Sequence, residues 1–423
     1  MLTMRIKYSL SRVLLTGTLG ILTIFPNGGQ AAANSALAEA NNAFAIDFFK
    51  QATKPSQNAV FSPYSISAAF ALAYAGAAGQ TASQMQKVMH WSEPASKIAA
   101  DFTALDQILK NAQKSGALEL SIANTLWPQK GFAFQKDYLA LLEGNFKTAL
   151  HEADFAKQPE VERSRINQWV QQQTSDRIKD LLPPGSLSPL TRLVLANAIY
   201  FKAQWQTPFS TNSTRPAPFY LAAGGSVSAP LMATQSNFRY ALIPSFKMLE
   251  LPYRGNELSM LVILPDATNG LAELEKELTS AKLEAWTRAL RRTAVSVFLP
   301  RFKLDFQLPL NDSMKALGMT DAFSEKDADF TGMTGKRDLF ISQAMHKAFV
   351  EVNEKGTEAA AATGLIINAR CGGGPQEKPV FRADHPFIYL IRHQATGTIL
   401  FLGRLTNPAW FLDNFSGKLV EDW

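Results

Sequence analysis

The amino-acid sequence predicts an α+β fold, with helices packed around large antiparallel or mixed sheets. Three observations carry this. Helix-period apolar patterns gather toward the front of the chain. Two long apolar runs, Leu118–Trp127 and Arg192–Phe201, read as buried strands. Strand patterns then crowd the second half, interrupted by one helical stretch, Leu271–Arg291.

Taken in order, Ala36–Phe49 places Phe44, Phe48 and Phe49 close to one helical stripe. Ser62-Pro63 is a helix start, with Ser as N-cap and Pro as first residue, and that helix stops at Gly76. Thr81 with Gln84 reads as a capping box for the next helix. Further helices are expected at Ala95–Lys114, Lys136–Asn145 and Glu160–Gln173. KMLELPY and LSMLVILP, joined by GNE, read as a hairpin beyond the two long strands. AVSVFLPRFKLDF alternates, and PVFRA, PFIYLIRH and ILFLGRL complete the strands.

At 423 residues, length alone suggests two or three domains, but no linker or internal repeat divides the chain. One large domain, 34–408, is expected between a leader, 1–33, and a C-terminal extension, 409–423. In the leader, Arg5, Lys7 and Arg12 precede the mostly apolar Val13–Phe25 and the small residues Ala31-Ala32-Ala33, the pattern of a secretory signal. Its removal places the mature protein in a secreted, periplasmic or extracellular location. It also lowers the net charge from +6 to +3 by removing those three cations. That balance is too mild for nucleic acid, and no aromatic-basic cluster supports it. With Cys371 as the single cysteine, an internal disulfide is excluded. His151-Glu152 opens like a zinc-protease motif, but Phe155 stands where the second histidine belongs. No GxSxG elbow or phosphate-binding glycine loop is present, so an enzyme is not expected, nor a metal or cofactor.

The most informative stretch is Glu351–Arg370, followed by CGGGP. It begins as a strand, breaks at Lys355-Gly356 and continues through the run Ala359–Ala362. Numbered as a strand, one face carries Thr357, Ala359, Ala361, Thr363, Leu365 and Ile367, free of charge, while Glu358 falls on the other. An alanine-rich helix or linker is the plain alternative. The segment closely resembles the reactive-centre hinge of the serpins, a family that inserts such a loop into its own sheet. NAVFSPYSISAAFALAYAGAAGQTASQM, LANAIYFKAQWQTPF, LPRFKLDFQLPLNDSMKALGMTDAF, ISQAMHKAFVEVNEKGTEAAAAT and FRADHPFIYLIRHQATGTILFLGRLTNP follow in the family's order. The chain is thus similar to inhibitory serpins, of bacterial type, over about Asn41 to Pro408.

The resemblance implies three β-sheets with helices around them and an exposed reactive-centre loop. It implies a hinge of Glu354, Lys355, Gly356, Thr357, Glu358, Ala359, Ala360, Ala361, Ala362 and Thr363. Ser62, Ser65, Asn197 and His346 fall where the family keeps its shutter, a buried polar cluster beneath the main sheet. Trp205, Arg301 and Glu354 fall at its breach, where the loop first enters the sheet. Counting from Glu354 places the scissile bond at Arg370-Cys371, with Arg370 suited to a trypsin-like protease. The implied partners are a trypsin-like serine protease, held covalently, and as a second class a cysteine protease. A monomer is expected, with no clear glycosaminoglycan site. The rival reading is a non-inhibitory binding or carrier protein. The loop beyond Arg370 is longer than usual for the family, and Lys378 offers a second trypsin-type site. In the tail after Pro408, Phe411, Phe415, Leu419 and Trp423 recur at helical spacing.

Overall fold

The computed structural model describes residues 28–54, 56–114, 116–148, 150–357 and 378–408. Helices α1 (Gly28–Ala52), α2 (Pro63–Tyr74), α3 (Gly79–Met89), α4 (Ala95–Gln113), α5 (Lys136–Leu141) and α6 (Pro159–Gln173) dominate the first part. A π-helical turn, Leu142–Phe146, extends α5. The early strands are β1 (Ala59–Phe61), β2 (Leu118–Pro128) and β3 (Leu193–Gln204). Strands β4 (Arg215–Tyr220), β5 (Ser226–Ile243), β6 (Phe246–Pro252) and β7 (Leu258–Pro265) follow, then α7 (Leu271–Glu277) and α8 (Ser280–Ala289). The chain continues through β8 (Arg291–Pro300), β9 (Phe302–Pro309), α9 (Asn311–Leu317), α10 (Thr331–Thr334), β10 (Ile341–Asn353) and β11 (Gly356–Thr357). It closes with β12 (Val380–Arg382), β13 (Phe387–His393) and β14 (Ile399–Leu405). Helix α1 runs across position 33/34, where the leader was expected to end.

The expected α+β class is observed. Among the described residues the strands form two hydrogen-bonded sheets rather than three. The nine-stranded sheet runs β1-β14-β13-β7-β6-β5-β8-β12 with β4 on β5, and the five-stranded sheet runs β2-β3-β11-β10-β9. The larger sheet is continuous because β5, 18 residues long, pairs with β4, β6 and β8 in turn. AVSVFLPRFKLDF is not one strand. It breaks at Arg301, which leaves β8 in the larger sheet and starts β9 in the smaller.

The Ser62 N-cap forms as expected, its Oγ accepting from the Ser65 amide at 3.0 Å. The Thr81–Gln84 capping box does not. Helix α3 starts at Gly79, the Thr81 hydroxyl accepts from the Asp329 amide, and Gln84 reaches Thr320 and Asp321. Tertiary partners have taken both polar side chains away from the helix end.

Alternation along β3 divides the five-stranded sheet into two apolar faces. Leu193, Leu195, Ile199, Phe201 and Ala203 join the main core, which contains α1, α2 and the larger sheet. Val194, Ala196, Ala198 and Tyr200 join a smaller cluster with Ile166 and Val170 of α6. Below Thr357, β3 and β10 pair directly and in parallel, Leu193–Tyr200 against Ile341–Phe349.

Candidate functional site

The resemblance implies an exposed loop that starts at Thr357; the structure places Thr357, together with Gly356, inside the sheet. Strand β11 lies between β3 and β10, antiparallel to both, with Thr357 opposite Ala203 and Val352 and Gly356 opposite Gln204 and Asn353. Thr357 is fully buried and its hydroxyl pairs with the Tyr253 hydroxyl at 2.7 Å. Its side chain therefore takes the core-facing side, as the alternation of the loop sequence requires at this position. Gly356 is glycine for a steric reason: a Cβ there would lie 1.9 Å from the Ala203 carbonyl oxygen and 2.7 Å from Gln204 Cα. The remaining hinge residues, Glu358 to Thr363, and the bond Arg370-Cys371 lie outside the described residues.

The turn leading into β11 is held from three sides. The Trp205 amide donates to the Lys355 carbonyl at 2.8 Å, and its indole Nε1 donates to the Asn353 carbonyl at 2.9 Å. The Trp205 ring stacks on Tyr253, with centroids 4.6 Å apart and planes at 8°. Glu354 accepts from Arg301 at 2.5 Å and from the Thr214 hydroxyl at 2.6 Å. The Glu354 side chain is 5% exposed and that of Arg301 is 33% exposed. Burial by itself would raise the Glu354 pKa, but the bonds from Arg301 and Thr214 outweigh it and hold it below the usual carboxylate value. Trp205, Arg301 and Glu354 thus meet at this turn. Arg301 reaches this point because it occupies the break between β8 and β9. Tyr253 was not singled out from sequence, where a tyrosine ending an apolar strand carries no signal of chemistry.

Lower in the same seam lies the polar cluster. Register puts Asn124 of β2 opposite Asn197 of β3, and Asn197 opposite His346 of β10. The start of α2 sits against this row. The Ser62 amide donates to His346 Nε2 at 3.1 Å, which makes Nε2 the acceptor and leaves the ring proton on Nδ1. Nδ1 then donates to the Asn197 side-chain oxygen, Oδ1. Asn197 Nδ2 donates to the Ser65 hydroxyl at 2.6 Å and the Ser65 carbonyl at 3.0 Å. The Ser65 hydroxyl donates to Asn124 Oδ1 at 3.2 Å. Ser62, Ser65, Asn197 and His346 are buried and bonded into one row, and the half-buried Asn124 is bonded to it, a residue sequence reasoning passed over. Burial depresses the His346 pKa to about 3, so the ring is neutral. With both nitrogens committed to partners, His346 has no free nitrogen to serve as a general base.

This arrangement can do one chemical thing well. The β3–β10 seam is wedged open at its top by two residues, and its middle is closed by hydrogen bonds that run across it. Among the described residues no group of His, Cys, Asp and Glu could hold a metal ion, and no helix is long and apolar enough to cross a membrane.

Residues 39–408 match the family described as Serpin (serine protease inhibitor). The leukocyte elastase inhibitor of Bos taurus is 43% identical over 383 residues, covering 88% of this chain and 99% of that protein. Uncleaved ovalbumin superposes with a TM-score of 0.79 at 31% identity, covering 88% of this chain and 100% of that one. Human thyroxine-binding globulin, solved in complex with thyroxine, gives a TM-score of 0.80 at 29% identity, covering 89% of this chain and 99% of that one. The bovine relative lends no support to the bacterial type expected from sequence.

Proposed function

The chain belongs to the serpin family, and on that premise we propose that it inhibits a trypsin-like serine protease by acting as a suicide substrate. The observation that carries this reading is the seating of Gly356 and Thr357 between β3 and β10, above a seam where those two strands are direct neighbours with no strand between them.

Continuing the register of Thr357 tests the fit. Ala359 falls opposite Phe201 and Val350, and Ala361 opposite Ile199 and Ala348, so small loop residues meet mostly larger neighbours. Thr363 falls opposite Asn197 and His346, in the middle of the shutter. There its hydroxyl can take up bonds that the parting strands release. Ile367 falls opposite Leu193, the first residue of β3. This register supports the reading that residues 358–367, uncharged on the inner face in the sequence, would enter the seam once β3 and β10 part.

The target's serine Oγ attacks the Arg370 carbonyl carbon, and the Arg370-Cys371 amide bond breaks. The Cys371 amine leaves with a proton, and Arg370 remains as an ester on the protease. Severed, the loop extends down the seam. It replaces one parallel ladder with two antiparallel ones, the better-bonded geometry. From Thr357 to Arg370, at about 3.3 Å per residue, the protease is drawn roughly 43 Å. A long cation at Arg370 favours a trypsin-like enzyme, although the bovine relative is named for elastase. The test is a denaturing gel. Trypsin and the protein are expected to give a stable complex near their summed mass; clean cleavage with trypsin left active refutes inhibition.

That second outcome is what a carrier would give, a reading favoured by the likeness to thyroxine-binding globulin. For location, the basic and apolar leader supports export, and N-terminal sequencing of protein from culture fluid tests it.

A further inference from the structure

Helix α6 carries Arg165, Gln168, Trp169 and Gln172 on one stripe, because residues three, four and seven apart share a helix face. An open cavity of about 480 Å³ lies between that stripe, the end of β2 and the segment 150–152. Trp127 of β2 forms its floor and is 2% exposed. The His151 ring stacks on Trp127, with centroids 4.7 Å apart and planes at 26°. Trp169 meets the same indole edge-on at 6.0 Å. Trp169 and His151 are half-buried, so each leaves part of its ring open to the cavity. The Trp127 indole N–H is buried with no partner among the described residues.

The polar lining is close to neutral. Arg165 is paired with the buried Glu162 at 3.0 Å, donates to the Glu152 carbonyl and lies 5.0 Å over the Trp127 ring. Burial, and then the Arg165 charge, hold the His151 pKa below 6.5, so the ring is neutral at pH 7. Gln168, Gln172 and the Glu152 carboxylate are exposed on the rim. His151-Glu152 gains no third ligand here, since no group of His, Cys, Asp and Glu among the described residues could hold a metal.

We propose that this cavity binds one pyranose ring of a neutral carbohydrate, its flat C–H face against Trp169 and His151 and its hydroxyls toward Gln168, Gln172 and Glu152. A pyranose has one apolar face and a girdle of hydroxyls that both donate and accept. The lining matches that girdle: an indole N–H only donates, a carboxylate only accepts, and an amide does both. An anion does not suit the site, because Arg165 is already compensated and Glu152 would repel it. A cation is disfavoured too, because Arg165 already lies over Trp127. The inference does not rest on the inhibitory reading above.

The experiment is a nuclear magnetic resonance titration of the intact chain, following the indole N–H signals. The probes are the methyl β-pyranosides of glucose, galactose and mannose. At least one is expected to saturate, with a Kd on the order of 1 mM for a ligand of that size, and to shift the signals of Trp127 and Trp169. Glycerol has hydroxyls without a ring face, cyclohexanol has a ring without the hydroxyl girdle, and choline is a cation; each is expected to bind at least tenfold more weakly. Trp169→Ala should abolish binding. Gln168→Ala combined with Gln172→Ala, at two exposed helix positions, should weaken it about tenfold. Urea unfolding checks that the variants are folded. The site is overturned if no pyranoside binds up to about 50 mM, or if glycerol, cyclohexanol or choline binds as well as the best sugar. Sugar binding unchanged in the double glutamine variant overturns it equally.

Discussion

Replacing Gly356 by alanine adds a single methyl group at the most crowded point of the hinge. The new Cβ would meet the Ala203 carbonyl oxygen at 1.9 Å, whereas real Cβ atoms essentially never come within 3.0 Å of such a neighbour. Either β3 or β11 must move by at least about 1 Å, and the obstacle is backbone, not the end of a flexible side chain. Overpacking of this kind costs about 1–3 kcal/mol. That shifts the balance between seated and unseated hinge by roughly 5- to 150-fold. Unseating also separates Thr357 from Tyr253 and withdraws the start of the new strand from the slot. Two readouts follow. Hydrogen exchange at the Thr357 amide should accelerate, and the number of molecules consumed per trypsin inhibited should rise severalfold, because hydrolysis overtakes insertion. Wild-type protection together with wild-type stoichiometry would show that the seating of Gly356 and Thr357 plays no part in trapping.

Thr357→Arg, which puts a charge against Tyr253 in a fully buried site, is expected to turn an inhibitor into a substrate; a mutant that still forms the gel-stable complex contradicts the assigned face. Thr363→Val should leave the melting temperature of the intact protein unchanged and lower that of the cleaved form, and equal melting of the two cleaved proteins would exclude the register drawn through Asn197 and His346. His346 is depressed from 6.5 to about 3 by burial, so its stabilising neutral form is fully present above about pH 6.5 and lost as pH falls toward 3. Between pH 7.5 and pH 5.0 that is roughly 2 kcal/mol. Urea unfolding should show this extra loss in wild type relative to His346→Gln, and parallel pH slopes would refute it.

Much of the fold was legible because burial patterns are local. Leu118–Trp127 and Arg192–Phe201 are long and largely apolar, and both became strands of the five-stranded sheet, with residues in the clusters on each of its faces. What escaped depended on partners remote in sequence. Thr81 and Gln84 have the right spacing for a capping box, yet Asp329, Thr320 and Asp321 claim them. The alternation across AVSVFLPRFKLDF gives no hint that Arg301 divides two sheets. The site residues were reached through family resemblance, residue by residue. Asn124 and Tyr253 were missed because an asparagine and a tyrosine in strands become informative only once register sets them beside Ser65 and Thr357.

The short β11 bears on kinetics as well as architecture. Starting a new strand is slow, because chain must be ordered before many bonds reward it, whereas lengthening an existing one gains bonds with each residue added. Here the start is already in place in the uncut molecule. On the proposed mechanism, what would remain after cleavage is elongation, a unimolecular process whose speed depends on how readily two neighbouring strands separate. Trapping should therefore show a ceiling rate that no excess of protease can raise.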